Sequence, residues 1–284
     1  MCGRLWLPSV RSMTSGAEWQ ARVGQNWAAM YRQTDRSFAG LTQRLLERIG
    51  PVRGDTVLDV GCGAGEVTLA IARARPAAHV TGIDLSADLV AVARERAADR
   101  PNVSLVAADA ASFMPDPAPD LIVSRHGVMF FADPVAAFAH LRQTAAARAE
   151  LFFTCFRSPA ENPWATEIGA LLAQATAAPQ GYTPGPFAFA DTDFVRGVLS
   201  QAGWKGIDFE AVDYAYVAGQ GDDAVADAEA FLARIGPFAQ ALRTAPADQQ
   251  DDLRRRLRGL LLRRVSENLV VFPAAAWIVS ARNG

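Results

Sequence analysis

The chain has 284 residues, half of them apolar, and a formal charge of −2. That length and composition can bury a full core without disulfides or metal, as one large domain or a domain with an appended part. Near-neutral charge without a basic cluster argues against a nucleic-acid partner, three cysteines (Cys2, Cys62, Cys155) without paired or metal-ligand spacing argue against a disulfide or zinc framework, and no apolar run approaches the ~18 residues of a membrane span.

The first twelve residues lack an apolar segment followed by a small-residue cleavage site and read as an upstream extension before Met13. Free thiols then suit a reducing cytoplasm, where a soluble protein is expected. Residues 17–49 show apolar positions at helical spacing (Trp19, Val23, Trp27, Met30; then Phe38, Leu41, Leu45, Leu46, Ile49), which predicts two helices ended by Gly50-Pro51. Trp27 and Tyr31 on these helices can cover a bound ligand or simply pack. Strands are expected at 56–60, 79–83, 103–107, 120–124 and 149–156, separated by helices at 65–75, 87–99 and 134–146. This alternation predicts a parallel sheet with right-handed crossovers and helices on both faces. Ser86 caps the second of these helices, and Asp133-Pro134 opens the third.

Beyond the fifth strand the pattern changes. An amphipathic helix is expected at 162–178, then a Pro/Gly-rich loop over 179–186, a helix at 191–202, a strand near 206–217 and helices at 224–243 and 247–265. The basic residues Arg254, Arg255, Arg256, Arg263 and Arg264 share that last helix with Asp251 and Asp252 and read as a solvated face. Phe272-Pro273 then introduces a final strand, Ala275 to Ala281.

Chemistry concentrates in the first strand and its turn, Thr56-Val-Leu-Asp-Val-Gly-Cys-Gly-Ala-Gly-Glu66. A buried strand feeding a glycine turn at a helix start lets backbone approach a ligand and offers unpaired N–H groups. Gly61, Gly63 and Gly65 give G-x-G-x-G, whereas the dinucleotide fingerprint G-x-G-x-x-G needs glycine at position 66. Glu66 stands there and would repel a pyrophosphate, so a ligand without phosphates is expected at this loop. A nicotinamide oxidoreductase is disfavoured on the same ground.

The run Val-Leu-Asp-Val-Gly-Cys-Gly-Ala-Gly resembles motif I of the class I S-adenosylmethionine-dependent methyltransferases. The resemblance implies a Rossmann-like, doubly wound α/β sheet of seven strands, mostly parallel with an antiparallel last strand, plus N-terminal helices and helical lid insertions. It divides the chain into an N-terminal extension and helical cover (1–50), a cofactor-binding core (51–217) with a helical insertion near 158–190, a helical lid insertion (218–266) and the final strand (267–284). The implied cofactor is S-adenosyl-L-methionine, with no metal: no cluster of His and carboxylates has ligand spacing.

In an open α/β sheet, ligands sit beyond the carboxyl ends of the strands, so the strand ends supply the candidates. With the loop residues Gly61, Cys62, Gly63 and Gly65, Asp59 is expected to brace the loop and to suit a cationic ammonium or sulfonium. Asp84 can accept from both ribose hydroxyls, with Leu85 beside it. Asp109 matches the family's adenine-binding position, with Ala110 beside it and Phe113 on the ring face or in the core. The fourth strand contributes Ser124, Arg125 and His126. Arg125 can pair with the methionine carboxylate or an acidic substrate, and His126 can act as catalytic base because an imidazole titrates near working pH. His79 and His140 look incidental.

Further likeness to a subset of bacterial small-molecule methyltransferases runs through residues 121–134, Cys155–Trp164, Gly185–Ala190 and Phe272–Trp277. One departure is Ala145-Ala-Ala-Arg-Ala149, where the family has a Pro-Gly-Gly turn. Met129, Phe130, Phe131, Trp164, Phe187 and Phe189 are candidates for an apolar acceptor pocket. They hint at a small planar or apolar acceptor such as a quinone, a polyketide or another secondary metabolite. The alternative is a cofactor-binding accessory or regulatory subunit without transfer activity.

Overall fold

A computed structural model describes residues 16–52, 54–172 and 181–284. The extension expected before Met13 lies outside these residues, as do residues 173–178 of the helix expected over 162–178, which within the described residues already ends at Gly169. In chain order the elements are α1 (Gly16–Trp19), α2 (Arg22–Ala29), α3 (Tyr31–Ile49), β1 (Thr56–Val60), α4 (Glu66–Ala74), β2 (His79–Asp84), α5 (Ala87–Arg96), β3 (Val103–Ala107), β4 (Leu121–Arg125), α6 (Pro134–Thr144) and β5 (Glu150–Phe156). Then come α7 (Pro163–Gly169), α8 (Thr192–Gln201), β6 (Lys205–Gln220), α9 (Ala224–Leu232), α10 (Gly236–Thr244), α11 (Ala247–Leu262), β7 (Val265–Ser266) and β8 (Leu269–Arg282).

The sheet runs β3-β2-β1-β4-β5-β8-β6, with two-residue β7 paired to β8 off this path. β1 to β5 pair in parallel, and β8 is antiparallel to both β5 and β6. The seven strands of the main path and the antiparallel last strand agree with the expected Rossmann-like architecture. β1 shows why: Val57 faces one apolar layer with Leu41, Leu45 and Ile71 of α3 and α4, while Leu58 and Val60 face the other. That second layer contains Phe138 of α6, Leu199 of α8 and the apolar sides of α9 to α11. A strand buried on both faces must be apolar nearly throughout, so its burial pattern is continuous rather than alternating.

Polar caps start the crossover helices. Ser86 Oγ accepts from the Leu89 N–H (3.3 Å), Asp133 from Ala136 (3.0 Å) and Asp191 from Asp193 and Phe194. Asn162 fastens the chain after β5 to β8. Its side chain accepts from the Ala275 N–H (3.0 Å) and donates to the Ala275 carbonyl (3.1 Å), and its oxygen also receives the Trp164 indole N–H (3.1 Å).

Several helices end earlier than expected, α5 at Arg96, α7 at Gly169 and α11 at Leu262, and three further differences have a local cause. Residues 17–49 form three helices, with a break at Met30 (φ −113°). The helix expected over 224–243 is two, because Gly236 adopts φ +83° and Pro237 follows it at the start of α10. β8 begins at Leu269 and runs through Pro273. There β5 has already ended, its last partner being Ala276, so the proline lies on a stretch paired only with β6.

Candidate functional site

The carboxyl ends of β1, β2, β3 and β4 meet around the loop that follows β1. The N–H groups of Gly61 and Cys62 both donate to the Ile83 carbonyl at the end of β2 (2.8 and 2.9 Å). Each glycine of the loop adopts positive φ (68°, 54° and 84° at Gly61, Gly63 and Gly65), and each has its own reason to lack a side chain. A Cβ on Gly61 would lie 2.8 Å from Gly127 Cα, because the loops after β1 and β4 touch at the switch point of the sheet. A Cβ on Gly65 would crowd Ala93 of α5 at 3.1 Å, whereas at Gly63 nothing lies within 4 Å. The outer loop face is therefore open backbone beside a helix start, the form that cradles a ligand.

Asp84 ties β2 to this loop. Its Oδ2 accepts from the Gly63 N–H (2.9 Å) and its Oδ1 from the Ser86 N–H (2.8 Å). Burial pushes its carboxyl above the usual range, and those two backbone bonds oppose the shift. Leu85 beside it is half-buried. At the end of β3, Asp109 is exposed and accepts from the Ala111 N–H (2.9 Å), and Ala110 is buried beneath it. Phe113 packs partly into the core, and its carbonyl meets His140 Nε2 at 2.8 Å.

Asp59 is buried under the loop but does not brace it as expected. Its Oδ2 accepts from Thr68 Oγ1 of α4 (2.6 Å), while Oδ1 is buried with no hydrogen-bond partner among the described residues. Burial raises its pKa to about 6, against the pull of Thr68 and the Arg125 charge. An orphaned carboxylate oxygen at this depth can receive a cationic or N–H donor.

The end of β4 departs most from expectation. Ser124 Oγ donates to the Val60 carbonyl (2.7 Å) and accepts from the Gly127 N–H (3.2 Å), so its hydroxyl holds two loops together. Arg125 was expected to meet a ligand carboxylate. Instead it pairs with Glu66, donates to Thr42 Oγ1 (2.8 Å) and lies 3.7 Å from Asp35, which also pairs with Arg96 (2.9 Å). These acids sit at the start of α4 and on α3, so the guanidinium joins the N-terminal helices to the glycine loop. Burial raises the Glu66 pKa, Arg125 opposes the shift and Asp35 adds to it.

His126 stands at the site but not with the expected titration. Burial, then the Arg125 charge, lowers its pKa to about 3, so the ring is neutral at working pH and weakly basic. It adopts φ +64°, places Nδ1 3.3 Å from Thr154 Oγ1 and stacks on Phe156 at 4.1 Å; Nε2 is buried without a partner among the described residues. The aromatic wall continues from Phe156 to Trp164 (5.1 Å) and Phe187 (5.6 Å), from Trp164 to Tyr216 (5.2 Å) and from Tyr216 to Phe38 (5.8 Å). Met129 and Phe189 are core residues, while Phe130 and Phe131 are partly buried against the core.

Sequence reasoning missed Asp35, Phe38, Thr68, Thr154 and Tyr216. Helical spacing assigned Phe38 to packing, and no local pattern marks the others. The N-terminal helices do reach the site. A Cβ on Gly24 of α2 would fall 2.1 Å from Ser86 Oγ, and Trp19 meets both Trp27 (5.8 Å) and Phe130 (5.3 Å). Tyr31 lies under the guanidinium of Arg96 (4.7 Å). Among the described residues no His/Cys/Asp/Glu group could hold a metal ion, and no helix is long and apolar enough to cross a membrane.

Comparison with known proteins converges on the same segment. The sequence profile of a family described as "Methyltransferase domain" matches residues 57–147, from β1 to the turn before β5. A trans-aconitate 2-methyltransferase of Paracidovorax citrulli is 40% identical over 96 residues, 33% of this chain and 36% of that protein. Its namesake from Escherichia coli O157:H7 is 36% identical over 97 residues, 34% of this chain and 37% of that protein. The chain thus spans little more than a third of the length of these curated relatives. Among solved structures, Haemonchus contortus phosphoethanolamine N-methyltransferase 2 in complex with S-adenosyl-L-methionine superposes with a TM-score of 0.55 at 15% identity. That match covers 96% of this chain and 61% of the other, and is a likeness of fold.

Proposed function

We propose that this chain, whose residues 57–147 match the methyltransferase-domain family, is a class I S-adenosylmethionine-dependent methyltransferase that holds S-adenosylmethionine at the Gly61–Gly65 loop and moves its methyl group to a small acceptor by in-line displacement. The observation that carries this reading is the pairing of Asp84 with the Gly63 N–H beside a loop face open at its middle glycine. The residues present fit such a group. The loop backbone (Gly61, Cys62, Gly63, Gly65) has its own N–H groups held by Ile83, Asp84 and Cys62 and offers close approach at the open Gly63. Asp84 with Leu85 supplies acceptors for vicinal hydroxyls, and Asp109 with Ala110 supplies an acceptor at the next strand end. The partnerless Asp59 Oδ1 supports a cationic group nearby.

When bound, the cofactor supplies the electrophile, a methyl group on a positively charged sulfur. The protein's task is then to align the acceptor and exclude water, and alignment alone can lower a barrier by ~7–11 kcal/mol. In this reading Phe156, Trp164, Phe187 and Tyr216 form a wall for a planar or apolar acceptor, a secondary metabolite being the kind favoured. His126 offers its partnerless Nε2 to a polar atom of that acceptor. The N-terminal helices cover the cofactor, the core at 51–217 binds it, and the helices within 218–266 close the acceptor side as a lid. Cys62 and Cys155 are buried free thiols, which suits a cytoplasmic setting.

One observation favours the second reading, binding without transfer. His126 is too weak a base to deprotonate an acceptor efficiently, which leaves the aromatic wall without a base tuned to neutral pH. Calorimetry followed by incubation with labelled methyl donor and acceptor pools separates the two. One cofactor per chain is expected, weakened by Asp84→Ala about 30-fold, the value of about 2 kcal/mol for hydrogen bonds to a charged group. Label appearing in a small molecule supports transfer, and binding with no labelled product from any pool supports the accessory role. Tight NAD binding without S-adenosylmethionine binding overturns both.

A further inference from the structure

A second site lies away from the glycine loop, in the helices between β6 and β8. Beside the break between α9 and α10 lies an open cavity of about 380 Å³, exposed to solvent over much of its mouth, whose lining includes Ala233, Arg234, Leu242, Arg243, Gln250 and Arg254. The three arginines come from three separate segments: the link after α9, α10 and α11. Of the other arginines of this region, Arg255 pairs with Asp252 (3.1 Å), Arg258 with Glu229 (2.9 Å) and Arg264 with Glu167, whereas Arg256 and Arg263 also have no ion pair among the described residues but do not line the cavity. Arg234, Arg243 and Arg254 have no ion pair among the described residues, and Arg234 donates to the neutral sulfur of Met30 (3.4 Å).

The surrounding groups sharpen the choice of ligand. Glu229, which borders the adjoining depression beside Arg254, has its carboxylate engaged by Arg258. Gln250 donates its amide to the Ala245 carbonyl (3.0 Å). Ala233 and Leu242 make part of the lining apolar. The three arginine side chains are exposed at this concavity, and guanidinium forks match the paired oxygens of phosphate and carboxylate. A cavity of this volume suits a small molecule.

We propose that this cavity binds a small amphiphilic anion, a phosphate or carboxylate head on a short apolar stem, with Arg234, Arg243 and Arg254 on the head. The site is independent of the methyl-transfer reading and stands or falls by its own test.

Calorimetry on the full chain with hexyl phosphate, inorganic phosphate and phosphatidylglycerol vesicles supplies that test. Saturable binding of one hexyl phosphate per chain is expected, at least tenfold tighter than inorganic phosphate and weakened by added salt. The variant R234Q/R243Q/R254Q should lose at least tenfold in hexyl phosphate affinity. Its S-adenosylmethionine binding or, failing that, its thermal midpoint should match the parent and show that it folds. Unchanged affinity in the variant, or no saturable binding to the parent, overturns the proposal. Binding to vesicles without binding to hexyl phosphate also overturns it, in favour of a membrane headgroup. Equal affinity for inorganic and hexyl phosphate overturns the apolar half of the site.

Discussion

His126 combines a left-handed backbone (φ +64°) with a buried ring whose Nε2 has no partner among the described residues. Non-glycine residues adopt this conformation only where their surroundings hold them, and histidine tolerates it better than most. The hold here is visible: Phe156 stacks on the ring, Phe38 meets it edge-on at 5.1 Å and Thr154 takes both its N–H and its Nδ1. A pKa of about 3 means that the ring stays neutral across the physiological range, so it acts by hydrogen bonding and shape. The expected outcome for His126→Asn, a residue suited to positive φ, is transfer slowed about tenfold or more with cofactor affinity within about twofold of the parent. Turnover of the parent should show no inflection near pH 6.5 that the variant lacks. Such an inflection, read from kcat against pH, would contradict the neutral imidazole.

At the scale of elements, the turn before β5 closes without the Pro-Gly-Gly sequence expected from the family resemblance. Ala145-Ala-Ala-Arg-Ala149 closes by hydrogen bonds from the Ala146 N–H to the Pro119 carbonyl and from the Ala149 N–H to the Ala146 carbonyl, both 3.0 Å. Arg148 takes φ +66°, which costs an L-residue about 1–2 kcal/mol and glycine nothing. Glycine's looser unfolded chain offsets part of the gain, so Arg148→Gly should stabilise by about 0.5–1 kcal/mol. A urea midpoint that falls would show that the exposed Arg148 side chain contributes something unseen.

The same scale explains what could be read from sequence. β1 and β3 were legible to the residue because a strand in a parallel sheet is a short apolar run bounded by turn residues. The glycine loop was legible because three fixed spacings carry its geometry. The split of α9 from α10 was signalled by Gly236-Pro237 and overlooked beneath a continuous helical period. The extension of β8 through Pro273 was not legible, since it depends on where β5 ends. Nor was the Asp35–Arg96–Arg125–Glu66 network, which unites four distant segments through contacts that leave no local pattern.

At the scale of the whole molecule, the buried titratable groups of the site pull stability in opposite directions with pH. Asp59 has a folded pKa of about 6 against 3.8, so between those values the folded chain holds the extra proton. Stability therefore falls as pH rises through that window. Glu66 shifts in the same sense. For His126 the order reverses. With a folded pKa of about 3 against 6.5, the unfolded chain binds the extra proton, and stability rises with pH until it is complete above about 6.5. The two slopes overlap between about pH 4 and pH 6 and partly cancel, and removing either group should expose the other. Relative to the parent, Asp59→Asn should gain about 1–2 kcal/mol in stability from pH 4.5 to 6, and His126→Asn should lose a similar amount. Urea unfolding of the three proteins at the two pH values measures the difference. Parallel profiles for all three would mean that these groups titrate as though in water, and that the floor of the site is wet rather than closed.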